Sequence, residues 1–326
     1  MKEKNKYLKI VGLIATIVAI LVGGFFLYKT LNKDTKNSTY DKKTITPLLY
    51  EVSKDGSNNK MYLFGSIHMA NMNDLVFPEY VLKAYNDSHY VACEYNIVKE
   101  NTDMEKAQAM IMQMLYQDGT TIKDHISEDI YNKLVDFLTK KESYSNVFDY
   151  YKPVFFYSLI TNYIGNDAKL DAGSGIDEYF IKKATSDKKT ILEVETMESQ
   201  TELLLSFSDS LYEIAIKDML DNYDDGVKEI IDLYDSWKKG DEKKLLELND
   251  EDIEINEDYT EKQKKEVAEF NKKIVTDRNK TMTDKAIEYF NNNQDVFFMV
   301  GTLHIIGDDG IVNNLIEKGY IVKRIQ

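Results

Sequence analysis

Apolar and polar positions follow two rhythms along this chain. Short, nearly continuous apolar runs occur at Leu48–Val52, Lys60–Gly65, His89–Glu94, Thr190–Glu195 and from Val296 into Gly301. Runs of this length read as buried strands, and those without alternation suit a sheet covered on both faces. Asp55-Gly56 and Asn58-Asn59 lie between the first two runs, which predicts a hairpin. Elsewhere the spacing is helical: Val81, Leu82 and Tyr85 after Pro78; Ile130, Leu134 and Leu138; Val227, Ile230, Ile231 and Tyr234; Val267, Phe270 and Ile274. A further helix follows Gly310, and Gly175-Ile176-Asp177 opens one that runs through Ala184. No boundary rich in Pro or Gly divides the chain. The expectation is an α/β fold over residues 46–326: one domain with a central mixed sheet, flanking helices and a large helical insertion at roughly 102–275. The charged stretch 241–258 reads as a solvated segment between helices.

The first residues break this pattern. Lys2, Lys4, Lys6 and Lys9 precede an uncharged run from Ile10 to Tyr28, and Lys29 and Lys33 follow it. The run is long enough to cross a ~30 Å hydrocarbon layer and lacks an A-x-A-like cleavage site. Residues 1–33 are therefore expected to form a cytoplasmic tip and a single transmembrane signal anchor. Residues 34–45 should be a polar linker, with the main domain outside the cytoplasm.

Charge agrees with that orientation. The 326-residue chain carries −15, and residues 1–33 hold six lysines against one glutamate, so the remainder carries −20. An acidic body excludes nucleic acid and an anionic lipid surface as main partners, which leaves the anchor as the tether to the membrane. Cys93 stands alone, so no intrachain disulfide exists.

Four of the apolar runs end in residues that can do chemistry: His68, Glu94, Glu195 and His304. In open α/β sheets the carboxyl ends of the strands are where ligands bind. Two of these runs share one pattern, Gly65-Ser66-Ile67-His68 and Gly301-Thr302-Leu303-His304. Each glycine would let the backbone bend, or a neighbouring strand approach closely, just before the histidine. If the strands are neighbours, two imidazoles and two carboxylates meet at one edge. Such a set suits a divalent ion such as Zn, Mn or Co, with a spare glutamate as proton acceptor. Glu193 alternates with Glu195 and shares its face on an ideal strand, so either acid or both can point at the site. His89 lacks this context, His125 reads as a surface residue, and Glu198 reads as a first-turn acid. There is no G-x-S-x-G elbow, P-loop or H-E-x-x-H, and Cys93 lies inside a strand, where a thiol is inert.

The chain resembles the TraB/GumN/PrgY family, related to the animal TIKI metalloproteases, from about Thr46 to Ile325. The resemblance is carried by Tyr62–His68, Ala84–Glu94, Gly175–Asp177, Glu195–Gln200, Arg278-Asn279 and Val300–His304, with Gly307, Gly310, Gly319 and Tyr320. It implies an erythromycin-esterase/ChaN-like fold and metal-dependent hydrolysis of a secreted peptide or exported protein. On that basis His68 and His304 hold the metal, and Glu94 is ligand or general base. Glu195 matches a second family acid, and Arg278 and Asn279 a polar pair that stabilises an oxyanion or orients Glu94. A non-catalytic protein that sequesters a pheromone-like peptide in the same cleft is the alternative.

Overall fold

Leu49–Ser53 (β2) and Met61–Ser66 (β3) form the expected hairpin, with Leu49 opposite Phe64 and Val52 opposite Met61. Gly56 supplies the left-handed turn residue at φ 77°. The computed structural model describes residues 42–171, 175–249 and 259–326, so the anchor and most of the linker lie outside the described residues. The end of the linker is structured: Lys43–Thr44 (β1) pairs in parallel with Leu75–Val76 (β4). Among the described residues no helix is long and apolar enough to cross a membrane.

Four more strands complete the main sheet: Tyr90–Cys93 (β5), Thr190–Glu193 (β6), Val296–Gly301 (β7) and Ile321–Ile325 (β8). Their order is β6-β5-β7-β3-β2-β8. β6, β5, β7 and β3 run parallel, whereas β2 is antiparallel to both β3 and β8, so the sheet is mixed. β7 is central, and all six of its residues are buried. That is why its sequence shows no alternation.

Both faces carry helices. On one side Tyr85 of Glu79–Asp87 (α1) and Phe180 of Ile176–Ser186 lie against Phe64 and Phe297, with ring centroids 5.1–5.8 Å apart. On the other, Tyr289 of Arg278–Asn291 meets Phe298 at 6.3 Å. Burying each large side chain contributes about 1.5–3 kcal/mol.

The insertion expected at 102–275 is two helical excursions separated by the edge strand β6. Between β5 and β6 run Ile97–Glu100 (α2), Met104–Gln113 (α3), Glu128–Lys140 (α4), Pro153–Asp167 (α5) and Ile176–Ser186 (α6). Every residue of α5 from Pro153 to Gly165 is buried, and helices Asp209–Asp221 and Tyr223–Lys239 of the second excursion pack against it. Between β6 and β7 run Met197–Leu205 (α7), Asp209–Asp221 (α8), Tyr223–Lys239 (α9), Glu242–Asn249 (α10), Glu261–Asn271 (α11) and Arg278–Asn291 (α12). Thr302–Ile305 (α13) and Ile311–Glu317 (α14) follow β7.

Two expectations are corrected here. Ile231 is 39% exposed, because the buried face of α9 runs through Ile230, Leu233, Tyr234 and Trp237. The charged stretch from residue 241 begins as α10, which buries Leu245; residues 250–258 lie outside the described residues. Trp237 is fully buried, and its Nε1 donates to the Gly65 carbonyl at 2.8 Å, fastening α9 to the strand that leads to His68.

Candidate active centre at the sheet edge

The strand order sets four side chains in a row. Glu195 lies just past β6, Glu94 directly after β5, His304 in the α13 turn after β7, and His68 just past β3. The expected convergence of two imidazoles and two carboxylates is therefore present at one edge. Backbone pairing continues beyond the strands, with Glu195 N–H donating to the Glu94 carbonyl at 2.8 Å. His68, Glu94, Arg278, Asn279 and His304 are all buried.

Arg278 ties the row together. Its Nη2 donates to Glu94 Oε2 and to Glu195 Oε2, each at 2.7 Å, and its Nε lies 2.9 Å from Glu195 Oε1. Its Nη1 lies 3.1 Å from His304 Nε2. A π-helical turn, Lys272–Asp277, precedes it immediately. Such turns change the rotation of the following helix, and this one delivers Arg278 to the sheet edge. Burial disfavours the guanidinium charge, but Glu94 and Glu195 outweigh it and hold the pKa above its ordinary value. Burial likewise pushes Glu94 up, yet Arg278, then the two histidines and the Gly301 N–H, bring it down to about 2. Gly301 N donates to Glu94 Oε1 at 2.9 Å.

The imidazoles are oriented from behind. Asn279 Nδ2 donates to the Asp309 carbonyl at 2.9 Å, which fixes the amide and aims its oxygen at His304 Nδ1, 2.6 Å away. That oxygen only accepts, so Nδ1 carries the proton and Nε2 presents its lone pair. Burial, then Arg278, lowers the His304 pKa to about 3, so the ring is neutral. His68 Nδ1 lies 2.9 Å from Asp177 Oδ2 at an ion-pair distance that is not an aligned hydrogen bond, and Ser66 Oγ donates to Asp177 Oδ1 at 2.8 Å. Burial opposes protonation of His68, but Asp177 and Glu94 outweigh it and raise its pKa. His68 Nε2 is buried, lies 3.7 Å from Glu94 Oε1, and has no hydrogen-bond partner.

Close approach explains Gly65. A Cβ there would lie 2.5 Å from Thr302 Oγ1, whose hydroxyl donates to the Ser66 carbonyl at 3.0 Å. Gly301 contributes through its N–H to Glu94. Gly175 is tighter still, since its Cβ would stand 2.4 Å from the His68 carbonyl oxygen.

The structure separates the two acids of β6. Glu195 joins the centre, whereas Glu193 accepts from Asn96 N and from Lys99 at 3.2 Å. Glu198 is a first-turn acid of α7, as expected, and pairs with Lys106 at 2.7 Å. His89 is an exposed partner of Asp295. His125 is half-buried rather than superficial: it stacks on Tyr116 and lies 3.0 Å from Asp209 Oδ2. Asp177 and Gln200 belong to stretches that carry the family resemblance, but no role was legible for either. Gln200 Nε2 donates to Glu94 Oε2 at 3.1 Å and to Glu195 Oε2 at 2.8 Å. Their signals were a helix-opening acid and a polar residue on the first turns of α7, both common in purely structural settings.

A cleft of about 560 Å³ opens beside Arg278, between Lys99 and Lys106 on one wall and Glu195, Gln200, Leu203 and Thr281 on the other. As placed, no three His, Cys, Asp or Glu side chains among the described residues form a group that could hold a metal ion. Arg278 stands between Glu94 and His304.

Fold and site together define an α/β protein whose parallel strands bring a histidine–carboxylate–guanidinium centre to their carboxyl edge. Residues 48–324 match the TraB/PrgY/gumN family, and the chain belongs to it. It is also similar to a protein of Nematostella vectensis described as "Metalloprotease TIKI homolog", 24% identical over 211 residues. That match covers 60% of this chain and 44% of the relative, so the chain spans less than half of that protein's length. No solved structure matches the chain.

Proposed function

We propose that this protein is a metal-dependent peptidase acting on a secreted peptide or exported protein, tethered by its N-terminal apolar run with the domain outside the cytoplasm. The observation that carries this reading is His68 Nε2, a buried imidazole nitrogen without a partner that faces an ionised carboxylate. A buried polar atom left unpaired costs about 1–3 kcal/mol unless something satisfies it.

The donor types suit a divalent ion, although their present placement does not enclose one and Arg278 would have to give way between Glu94 and His304. His68 Nε2, His304 Nε2 and Glu94 Oε1 would hold it, and Asp177 and Asn279 act on the far nitrogens of the two rings, as groups behind ligating histidines do. The chemistry such an ion supplies when bound is Lewis-acid polarisation of a peptide carbonyl. The chain's own residues do the rest. Glu94, with a pKa near 2, stays charged at neutral pH and serves as a fixed anion rather than a proton carrier. Arg278 keeps Glu94 and Glu195 in place and offers a permanent cation where negative charge develops on a carbonyl oxygen. Glu195 lines the cleft, and we assign it the proton-accepting role.

The test is metal content and peptide cleavage of the chain from residue 34 onward, with Mn, Co or Zn, beside His68→Ala and His304→Ala. Stoichiometric metal and cleavage in the parent alone are expected. Equal, negligible metal in all three would overturn the reading.

The second reading, a peptide-sequestering protein, is favoured by Arg278, which already satisfies Glu94, Glu195 and His304 Nε2 without an ion. Mass spectrometry separates the two, because sequestration leaves the captured peptide intact.

A further inference from the structure

We propose that Gln200 is a substrate-positioning residue whose side-chain carbonyl accepts a backbone N–H from a peptide lying in the cleft beside Arg278. The class of ligand rests on the peptidase reading above; the role of Gln200 rests on geometry.

Gln200 sits near the start of α7, where the Thr196–Ser199 capping box fixes the first turn. It is only 4% exposed. The amide end that meets Glu94 Oε2 at 3.1 Å and Glu195 Oε2 at 2.8 Å must be the nitrogen, because carboxylate oxygens only accept. Both hydrogens of that NH2 are thereby used. Its oxygen, Oε1, has no protein partner among the described residues, and it is not sealed from solvent. Gln200 lines the cleft, and its oxygen is the part of its amide left for a ligand there.

Most side-chain donors of the cleft wall already meet acceptors, while Lys99 and Thr196 keep hydrogens of their own. Lys106 pairs with Glu100 and Glu198, Lys99 with Glu193, and Arg278 with Glu94 and Glu195. Thr281 Oγ1 donates to the Asp277 carbonyl at 3.3 Å. The wall therefore offers acceptors, Gln200 Oε1 among them, beside the spare hydrogens of Lys99 and Thr196. A peptide, which presents one N–H and one C=O per residue, complements that surface. Because the same amide group grips both carboxylates, a peptide held by Oε1 is held next to the centre.

The test uses the full-length chain and a bound peptide whose backbone amides are N-methylated one at a time. Binding is read by fluorescence anisotropy without added metal, so the result does not depend on hydrolysis. Methylation at one position is expected to weaken binding to the parent about fivefold to tenfold, the scale of one hydrogen bond. Gln200→Met, which keeps the length but not the amide, should bind the unmodified peptide that much more weakly and lose nothing further on methylation there. In cleavage assays its KM should rise more than its kcat falls. Equal sensitivity of parent and variant to every methylation overturns the proposal, as does a loss confined to kcat with a shifted pH profile, which would mean that Gln200 acts only through the carboxylates. If Gln200→Met does not fold, Gln200→Asn, whose amide is one methylene short, must show the same insensitivity. Binding without cleavage in the parent sinks the peptidase reading and leaves the methylation result to decide Gln200; no binding of any peptide overturns both.

Discussion

Arg278 Nη1 lies 3.1 Å from His304 Nε2, on the opposite side of the ring from the Nδ1 that Asn279 Oδ1 meets at 2.6 Å. A guanidinium can only donate, so the imidazole must present a lone pair to it. His304 is thus held in the tautomer a cation needs, and Arg278 is the cation it now faces.

Asn279 should therefore govern metal affinity without being a ligand. Asn279→Ala is expected to lower divalent-ion affinity about 10–100-fold, the usual effect of losing a group behind a ligating histidine. Asp177→Asn should act similarly through His68. Titration calorimetry with Zn or Mn checks both, and unchanged affinity in both variants would show that the rings need no such support.

Acid should weaken the metal-free fold through His304 and Glu94. His304 has its pKa lowered to about 3, so between there and the unfolded value of about 6.5 the unfolded chain binds the extra proton and stability falls as pH falls. Glu94 contributes stability that is present above about 4.3 and lost as pH drops toward 2. His68 runs the other way: its raised pKa adds stability below about 6.5, lost as pH rises through the folded value. Urea midpoints at pH 7, 5 and 4 should decline in the parent and less steeply in His304→Gln; parallel declines would contradict the assignment. Metal binding should also weaken below the raised pKa of His68, since a ligating ring must give up its proton.

Removing Arg278 should damage the fold as well as activity. Arg278→Ala leaves Glu94 as a buried charge, and Glu195 as a half-buried one, without their main partner, a loss of about 3–5 kcal/mol. Glu94→Gln in that background should recover part of it. Denaturant unfolding of the two single variants and the double variant measures the coupling, and strict additivity would argue against a shared charge cluster.

Two glycines differ in what a methyl group would strike. At Gly175 it meets the His68 backbone carbonyl at 2.4 Å, whereas at Gly65 it meets the Thr302 side chain at 2.5 Å. Side chains rotate more readily than backbone moves, so Gly175→Ala should cost more, on the order of 1–3 kcal/mol, and should also loosen metal binding by shifting His68. Equal stability and metal affinity in the two variants would rule this out.

Much of this arrangement is legible in the sequence because parallel strands buried on both faces leave uninterrupted apolar runs, and the residues just past them stand out. His68, Glu94, Glu195 and His304 were found that way. Glu193 could not be separated from Glu195, because alternation describes an ideal strand and β6 ends at Glu193, where the chain turns. Asp177 stands in a motif that carries the resemblance, but its role is not legible there. Its links to Ser66 and His68 join residues far apart in the chain, 111 positions in the first case, and apart from that motif it reads as any acid in a first turn. The role of Gln200 is illegible for the same reason, since it acts on Glu94 from 106 positions away.

β7 lies between β5 and β3 at the middle of the sheet, yet it comes after both, and after the two helical excursions, in the chain. Glu94 and Glu195 therefore leave the ribosome long before His304 and before the Gly301 N–H that secures Glu94. A nascent chain has no strand to join its two halves until nearly everything else has been translated. A centre assembled in this order stays incomplete during its own synthesis, and it forms only when the last central strand closes the gap.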